Sequence, residues 1–311
     1  MSLLQGRVAI VTGAGRGIGA AEAAALAAEG AAIVVVDQDD SAYEIAAEIT
    51  ASGRAAVGLV ADVSSSADAQ MAVDTAVDLF GGIDIVVNNA GILRDGFLHK
   101  MTDSNWDDVL RVNLRGHFTI TRAALPILRQ RRWGRIINTA SEAGLGASGS
   151  ANYAASKEGV IGLTRSLAIE VRRFGITANA IRPRASTPLA ASVATQMRLL
   201  TDRIEAGEFD PGPPTFDVCA RRKLTDQPEL MRPDVVAAFV VLLSSDDGGH
   251  ITGGDFIIGG DELAVLPSSL VPTRQMRCEG GWNLDSLRSV LPQLVEAHGS
   301  ETLTKGLPIL P

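Results

Sequence analysis

The chain has 311 residues, 46% of them hydrophobic and 21% charged, which is ample apolar material for one or two domains with a sizeable core. Its 28 Lys+Arg against 36 Asp+Glu leave a formal charge of -8, so neither nucleic acid nor an anionic membrane surface is expected as partner, since both need a basic footprint. Cys219 and Cys278 are too few for a disulfide framework or a four-thiolate metal site. The apolar stretches are broken by Glu22, Glu29 and Gly30, short of the ~18 residues that a spanning helix needs. No charged-then-apolar leader opens the sequence, and a soluble cytoplasmic protein is the expectation.

Short β-branched runs come first at Val8–Val11, Ile33–Val36, Ala56–Val60, Ile83–Val87 and Arg135–Thr139. Ala/Leu/Glu-rich stretches alternate with them: Ile18–Glu29, Ala42–Ser52, Ala67–Phe80 and Trp106–Arg129. The runs are nearly continuous in apolar residues, as in strands buried on both faces. Strand–helix repetition of this kind predicts an α/β fold, a doubly wound parallel sheet with helices on both faces. A helix over Tyr153–Arg173 and a strand near Thr177–Ile181 continue the series.

From Pro188 the pattern loosens. Ser192–Ala206 reads as helix, Glu208–Pro214 as loop, Asp234–Leu243 as a helix opened by Pro233, and Phe256–Ile258 as a last short strand. The expected organisation is one α/β domain over residues 4–260 and an extension over 261–311. In that extension Leu287, Leu291, Leu294 and Val295 share one face of an amphipathic candidate at Leu284–His298, a packing arm or a lid.

The first strand runs into a helix through Thr12-Gly13-Ala14-Gly15-Arg16-Gly17-Ile18-Gly19. Glycines in such a turn let backbone N–H groups approach a pyrophosphate at the helix N-terminus. The spacing is G-x-x-x-G-x-G, and the GK[ST] of a Walker loop is missing. Asp37 closes the second strand 18 residues beyond Gly19. A carboxylate there accepts bonds from a ribose diol and repels a 2′-phosphate, which favours NAD over NADP. Arg16 pulls toward NADP, because a guanidinium in the turn can pair with that phosphate. Asp62 and Val63, after the third strand, belong at the adenine edge by the same geometry. His99, His117, His250 and His298 are scattered without metal-ligand spacing, and no metal site is expected.

These residues resemble the short-chain dehydrogenase/reductase family. The glycine turn, Asn88-Asn89-Ala90-Gly91, Asn113, Ser141 and Tyr153-Ala154-Ala155-Ser156-Lys157 stand in that family's order and spacing across roughly Val8 to Gly260. The resemblance implies an NAD(P)-dependent oxidoreductase interconverting a secondary alcohol and a ketone. It assigns catalysis to Asn113, Ser141, Tyr153 and Lys157. Cofactor contacts fall to Gly13, Arg16, Gly17, Ile18, Gly19, Asp37, Asp62, Val63, Asn89, Ala90, Gly91, Tyr153, Lys157, Pro183 and Thr187. Tyr153 and Lys157, four apart, share a helix face. A free tyrosine near pKa ~10 is a poor base, and bringing it to neutrality takes ~4 kcal/mol at ~1.36 per unit. The Lys157 ammonium and the oxidised nicotinamide ring are suitable sources. Tyr153 then exchanges a proton with the substrate oxygen, Ser141 hydrogen-bonds that oxygen, and Asn113 holds a water that relays protons from Lys157.

The chain departs from the family at Arg182-Pro183-Arg184, where Arg184 replaces the usual glycine. That arginine is expected to meet either an anionic substrate group or solvent. This departure and the long tail resemble hydroxyacyl-CoA dehydrogenase domains of multifunctional β-oxidation proteins. Leu189, Val193, Met197, Leu199, Leu200, Phe209 and Phe216 in the variable segment Pro188–Arg232 point to a hydrophobic alcohol or acyl thioester. The alternatives are a 3-oxoacyl-thioester reductase using NADPH, an NAD-binding sensor without catalysis, and a methyltransferase. Neither of the last two explains Ser141, Tyr153 and Lys157 together. The resemblance also implies a homo-oligomer, tetramer or dimer, built through the helices at Trp106–Arg129 and Tyr153–Arg173.

Overall fold

The computed structural model describes residues 2–187 and 231–267. Among them eight strands make one sheet in the order β3-β2-β1-β4-β5-β6-β7-β8. The strands are β1 (Val8–Thr12), β2 (Ala32–Asp37), β3 (Ala56–Val60), β4 (Ile85–Asn88), β5 (Gly134–Thr139), β6 (Ile176–Pro183), β7 (Asp255–Gly259) and β8 (Glu262–Val265). The helices are α1 (Gly17–Ala28), α2 (Ser41–Ala51), α3 (Ser66–Phe80), α4 (Asp103–Leu110), α5 (Gly116–Arg131), α6 (Ala151–Val171) and α7 (Pro233–Ser244).

The continuous apolar runs become strands because both faces of the sheet are covered. Ala9 and Val11 of β1 pack with Ile33 and Val35 against α1, α2 and α7, while Val8, Ile10, Val34 and Val36 pack against α3, α5 and α6. Burying each such Val or Ile contributes roughly 1.5–3 kcal/mol before entropy is counted. Local signals set the boundaries. The Ser65 hydroxyl accepts from the Asp68 N–H at 3.2 Å and starts α3, and Gly81, at φ 81°, ends it. The strand order reverses between β1 and β4, which opens a crevice at the carboxyl ends of the central strands.

Two elements differ from the sequence expectation. Trp106–Arg129 does not form one regular helix: α4 and α5 are joined by a π-helical turn, Arg111–Arg115, with Asn113 at its centre. Beyond the expected last strand, β8 pairs antiparallel with β7 in the register Gly259↔Glu262 to Phe256↔Val265. The expected helices at Ser192–Ala206 and Leu284–His298, the loop at Glu208–Pro214, the apolar set from Leu189 to Phe216, and both cysteines lie outside the described residues.

Candidate active site

The glycine turn lies at the mouth of the crevice. Gly13 has φ +61°, and a Cβ there would come within 2.7 Å of the Ala90 Cα; at Gly15 a Cβ would fall 1.8 Å from the Ser41 hydroxyl and 2.9 Å from the Asp37 carboxylate. A side chain is therefore shut out at Gly13 and Gly15, where backbone approaches Ala90, Ser41 and Asp37 closely. Arg16 makes no side-chain cap hydrogen bond to α1, which is the condition under which a helix N-terminus can receive an anion. Gly17 opens the helix with Thr187 against it, 3.4 Å from where its Cβ would stand, Ile18 packs against the core, and Gly19 is buried in the first turn.

Asn89-Ala90-Gly91 braces this cradle from the end of β4. The Asn89 side-chain amide donates to the carbonyls of Thr12 and Gly13 at 3.1 and 3.0 Å, while the Asn89 and Ala90 N–H groups donate to the Thr12 hydroxyl. A dinucleotide fits the set: an uncapped helix N-terminus, backbone without side chains at Gly13 and Gly15, and a carboxylate beyond it.

That carboxylate is Asp37. It is buried, accepts the Gly15 N–H at 2.8 Å through Oδ2 and the Gln38 N–H at 2.8 Å through Oδ1. Arg16 is already paired with Asp39, so its guanidinium is partly neutralised and the charge balance at the turn is acidic. Asp62 accepts from the Ser64 N–H at 2.9 Å and from Arg111 at 2.9 Å. Val63 is buried, and its carbonyl takes the Thr119 hydroxyl.

The remaining site residues gather where β4, β5 and β6 end. The Lys157 side chain is buried and its ammonium donates to the Thr139 carbonyl at 2.6 Å, 5.7 Å from the centre of the Tyr153 ring. Burial pulls its pKa down to about 7. Asn113 is fully buried in the π-helical turn, where its side chain accepts the Ile92 N–H at 2.8 Å and returns a bond to the Ile92 carbonyl at 3.0 Å. The Asn113 oxygen and the Lys157 nitrogen each lie 3.5 Å from the Cβ position of Gly91, so the two converge on one point. Ser141 follows β5 and caps a single 3-10 turn, Glu142–Leu145, by accepting the Ala143 N–H at 3.2 Å. Its hydroxyl proton is left to donate elsewhere.

Several contributors carry no sequence signal of their own. Asn152 is buried at the start of α6; its amide donates to the carbonyls of Arg94 and Asn105, and its oxygen accepts the Tyr153 N–H at 2.8 Å, which fixes where Tyr153 begins. His117, read in the sequence as one of four scattered histidines, is buried near Lys157. Burial first, and the Lys157 charge second, hold its pKa well below the usual range, so the imidazole is neutral. Arg184 does not face solvent: its side chain is only 12% exposed. It forks onto Glu142 with two 2.6 Å bonds and also pairs with Glu262. It needs no glycine-like backbone either, since Arg132 is the one described non-glycine residue at positive φ. Among the described residues no group of three His, Cys, Asp or Glu side chains is clustered to bind a metal, and no helix is long and apolar enough to cross a membrane.

Residues 7–198 match the short chain dehydrogenase family. The chain is 38% identical to hydroxyacyl-CoA dehydrogenase ChsB1 of Mycobacterium tuberculosis, over 93% of this chain and 88% of that one. It is 36% identical to the 3-oxoacyl-[acyl-carrier-protein] reductase FabG of Haemophilus influenzae, over 83% and 98% of the two. A crystal structure of a short chain dehydrogenase from Mycobacterium avium superposes with a TM-score of 0.79 at 33% identity, covering 94% of this chain and 96% of that one.

Proposed function

The chain belongs to the short-chain dehydrogenase family, and from that premise we propose an NAD-preferring oxidoreductase that interconverts a hydroxyacyl thioester, or a similarly hydrophobic secondary alcohol, with its ketone. The observation that carries the chemistry is the convergence of Lys157 and Asn113 on Gly91, with Tyr153 on the same helix face as Lys157. A nicotinamide cofactor, when bound, supplies or accepts the hydride. Its pyrophosphate would lie on the backbone of Gly13 to Gly19, with Ile18 at the helix start, and its ribose diol against Asp37. Asp62 and Val63 would flank the adenine, Asn89, Ala90 and Gly91 the middle of the cleft, and Pro183 and Thr187 the nicotinamide end.

Tyr153 passes a proton to the ketone oxygen, or takes one from the alcohol, while the Ser141 hydroxyl donates to the same oxygen. Lys157 re-protonates Tyr153, and a pKa near neutrality suits an amine that must gain and lose a proton in each turnover. Asn113, in a turn whose regular hydrogen bonding is interrupted, connects Lys157 to water. The acidic composition and scarce cysteines agree with action in the cytoplasm.

NAD preference follows from charge. A 2′-phosphate would face Asp37 and Asp39, and Arg16 is engaged by Asp39. The thioester substrate rests on the likeness to ChsB1 across nearly the whole chain. A second reading, reduction of a 3-oxoacyl thioester with NADPH, is favoured by the likeness to FabG and by Arg16 itself. Acetoacetyl-CoA reduction followed at 340 nm with NADH and NADPH in parallel separates the two. Faster turnover with NADH supports the first reading, faster turnover with NADPH the second, and turnover with neither rejects the thioester.

We also propose a homo-oligomer assembled through α5 and α6. Leu110, Leu114, Phe118 and Leu163 line an open apolar groove there, and Ile169 on α6 is 81% exposed.

A further inference from the structure

The turn that carries Ser141 is held by charge as well as by apolar packing. Arg182, near the end of β6, is 1% exposed, and its guanidinium grips the Asp255 carboxylate of β7 through Nε at 2.8 Å and Nη2 at 2.9 Å. Its remaining nitrogen donates to the Ser141 carbonyl at 2.6 Å, and Nη2 also reaches Glu158 at 3.0 Å. Glu158 directly follows Lys157 on α6. One buried guanidinium therefore ties the serine turn to the helix that carries Tyr153 and Lys157.

Arg184 repeats the device two residues on. Its N–H still bonds the Ile258 carbonyl of β7 at 2.8 Å, so it continues the extended strand and its side chain lies on the same face as Arg182. It forks onto both oxygens of Glu142, the residue after Ser141, and its third nitrogen pairs with Glu262 of β8. The Arg184 and Glu142 side chains are each only 12% exposed, so solvent screens this pair less than a surface bridge. The turn between them has no slack: a Cβ on Gly144 would stand 2.7 Å from the Glu158 carboxylate and 3.2 Å from Arg182.

We propose that Arg182 and Arg184 are positioning residues for catalysis, a two-rung clamp that sets the Ser141 hydroxyl relative to Tyr153 and links it to the β7–β8 edge. This rests on the reading that Ser141 bonds the substrate oxygen. Arg184 also neutralises Glu142, whose carboxylate would otherwise stand beside the serine and compete for its proton. The rung at Arg182 is embedded in the fold, and cutting it would leave the buried Asp255 with only the longer contact to Arg165 at 3.8 Å. The rung at Arg184 is the one to cut.

Arg184→Met is expected to lower kcat for acetoacetyl-CoA reduction by about 10- to 100-fold, the scale of a small misplacement of a reacting group, without changing NADH binding by fluorescence. Arg184→Lys, which keeps the charge but cannot fork, should recover part of the loss. In a Ser141→Ala background Arg184→Met should cost nothing further. Amide exchange in the peptide spanning residues 141–146 should accelerate by about tenfold or more, while β1 stays protected. Glu142→Gln, which preserves shape, should give the same pattern at smaller size. Multiplying losses in the Ser141→Ala background, a loss in NADH binding with kcat intact, or unchanged exchange in the 141–146 peptide would each overturn the clamp. The exchange comparison decides even if acetoacetyl-CoA is not turned over, a result that rejects the proposed substrate and leaves this inference to the exchange data.

Discussion

Lys157 sits under two opposed demands. A buried ammonium costs free energy, and that cost brings its pKa to about 7; a tyrosine acting as a base needs a nearby positive charge. The Thr139 carbonyl at 2.6 Å returns part of the lost solvation and keeps a protonated fraction beside Tyr153 near neutral pH. Asp37 poses a simpler case, since its two oxygens each accept one backbone N–H and retain lone pairs toward the crevice. Replacing it with Ala should weaken NADH binding by about 10- to 100-fold, the worth of charge-assisted hydrogen bonds, and should raise the relative affinity for NADPH. Parallel fluorescence titrations measure both. Equal losses for the two cofactors would mean that Asp37 merely supports the glycine turn through Gly15.

At the scale of elements, α1 contains an unusual residue. Glu22 is fully buried on the helix, neither carboxyl oxygen has a hydrogen-bond partner, and burial pushes its pKa up to about 8. In the unfolded chain it titrates near 4.5. Between those values the folded state keeps a proton that the unfolded state has lost, so this group's contribution falls as pH rises through the window and levels off above it. The loss is of order 4–5 kcal/mol across the full window. Lys157 acts oppositely and later, because its depressed pKa makes stability rise with pH from about 7 to 10.5. Glu22→Met should thus raise the melting temperature strongly at pH 8 and little at pH 5, with the Lys157 contribution cancelling between variant and wild type. An equal shift at both pH values would show that Glu22 is not protonated in the folded protein.

The elements also show which signals a sequence transmits. The apolar runs of β1, β2, β4 and β5 read directly as buried strands because both faces needed filling. The π-helical turn at Asn113 could not be read that way, since Arg111–Arg115 has ordinary helical composition and the widening shows only in the backbone bonding. Strand β8 was hidden for a different reason: Leu263 and Val265 alternate with polar or small neighbours and stay 57% and 67% exposed, which looks like a turn-rich segment. Lys157, Tyr153 and Asn113 were singled out by resemblance to the family's motifs, and Lys157 and Asn113 do meet beside Gly91. Arg182, Glu142 and Asn152 were not legible, because their roles come from partners 41, 42 and 58 positions away.

For the whole molecule, the doubly wound sheet brings the carboxyl ends of β1 to β6 to one side, where the glycine turn, Asp37, Asp62, Asn89 to Gly91 and Ser141 follow their strands. The face formed by α5 and α6 lies elsewhere and carries exposed Phe118 and Ile169. Assembly through it predicts sedimentation as a dimer or tetramer of the 32.5 kDa chain, shifted toward monomer by Ile169→Asp combined with Phe118→Asp. A monomeric wild type would remove that interface. Tyr153 is proposed to move the proton in a nicotinamide-linked reaction. The most direct test compares wild type and Tyr153→Phe in NADH-dependent reduction of acetoacetyl-CoA, with NADH binding titrated on the same preparations. Turnover by the wild type, a fall of at least ~100-fold in the variant, and equal NADH binding by both are expected. Undiminished turnover in Tyr153→Phe, or a wild type that binds no NADH, would contradict it.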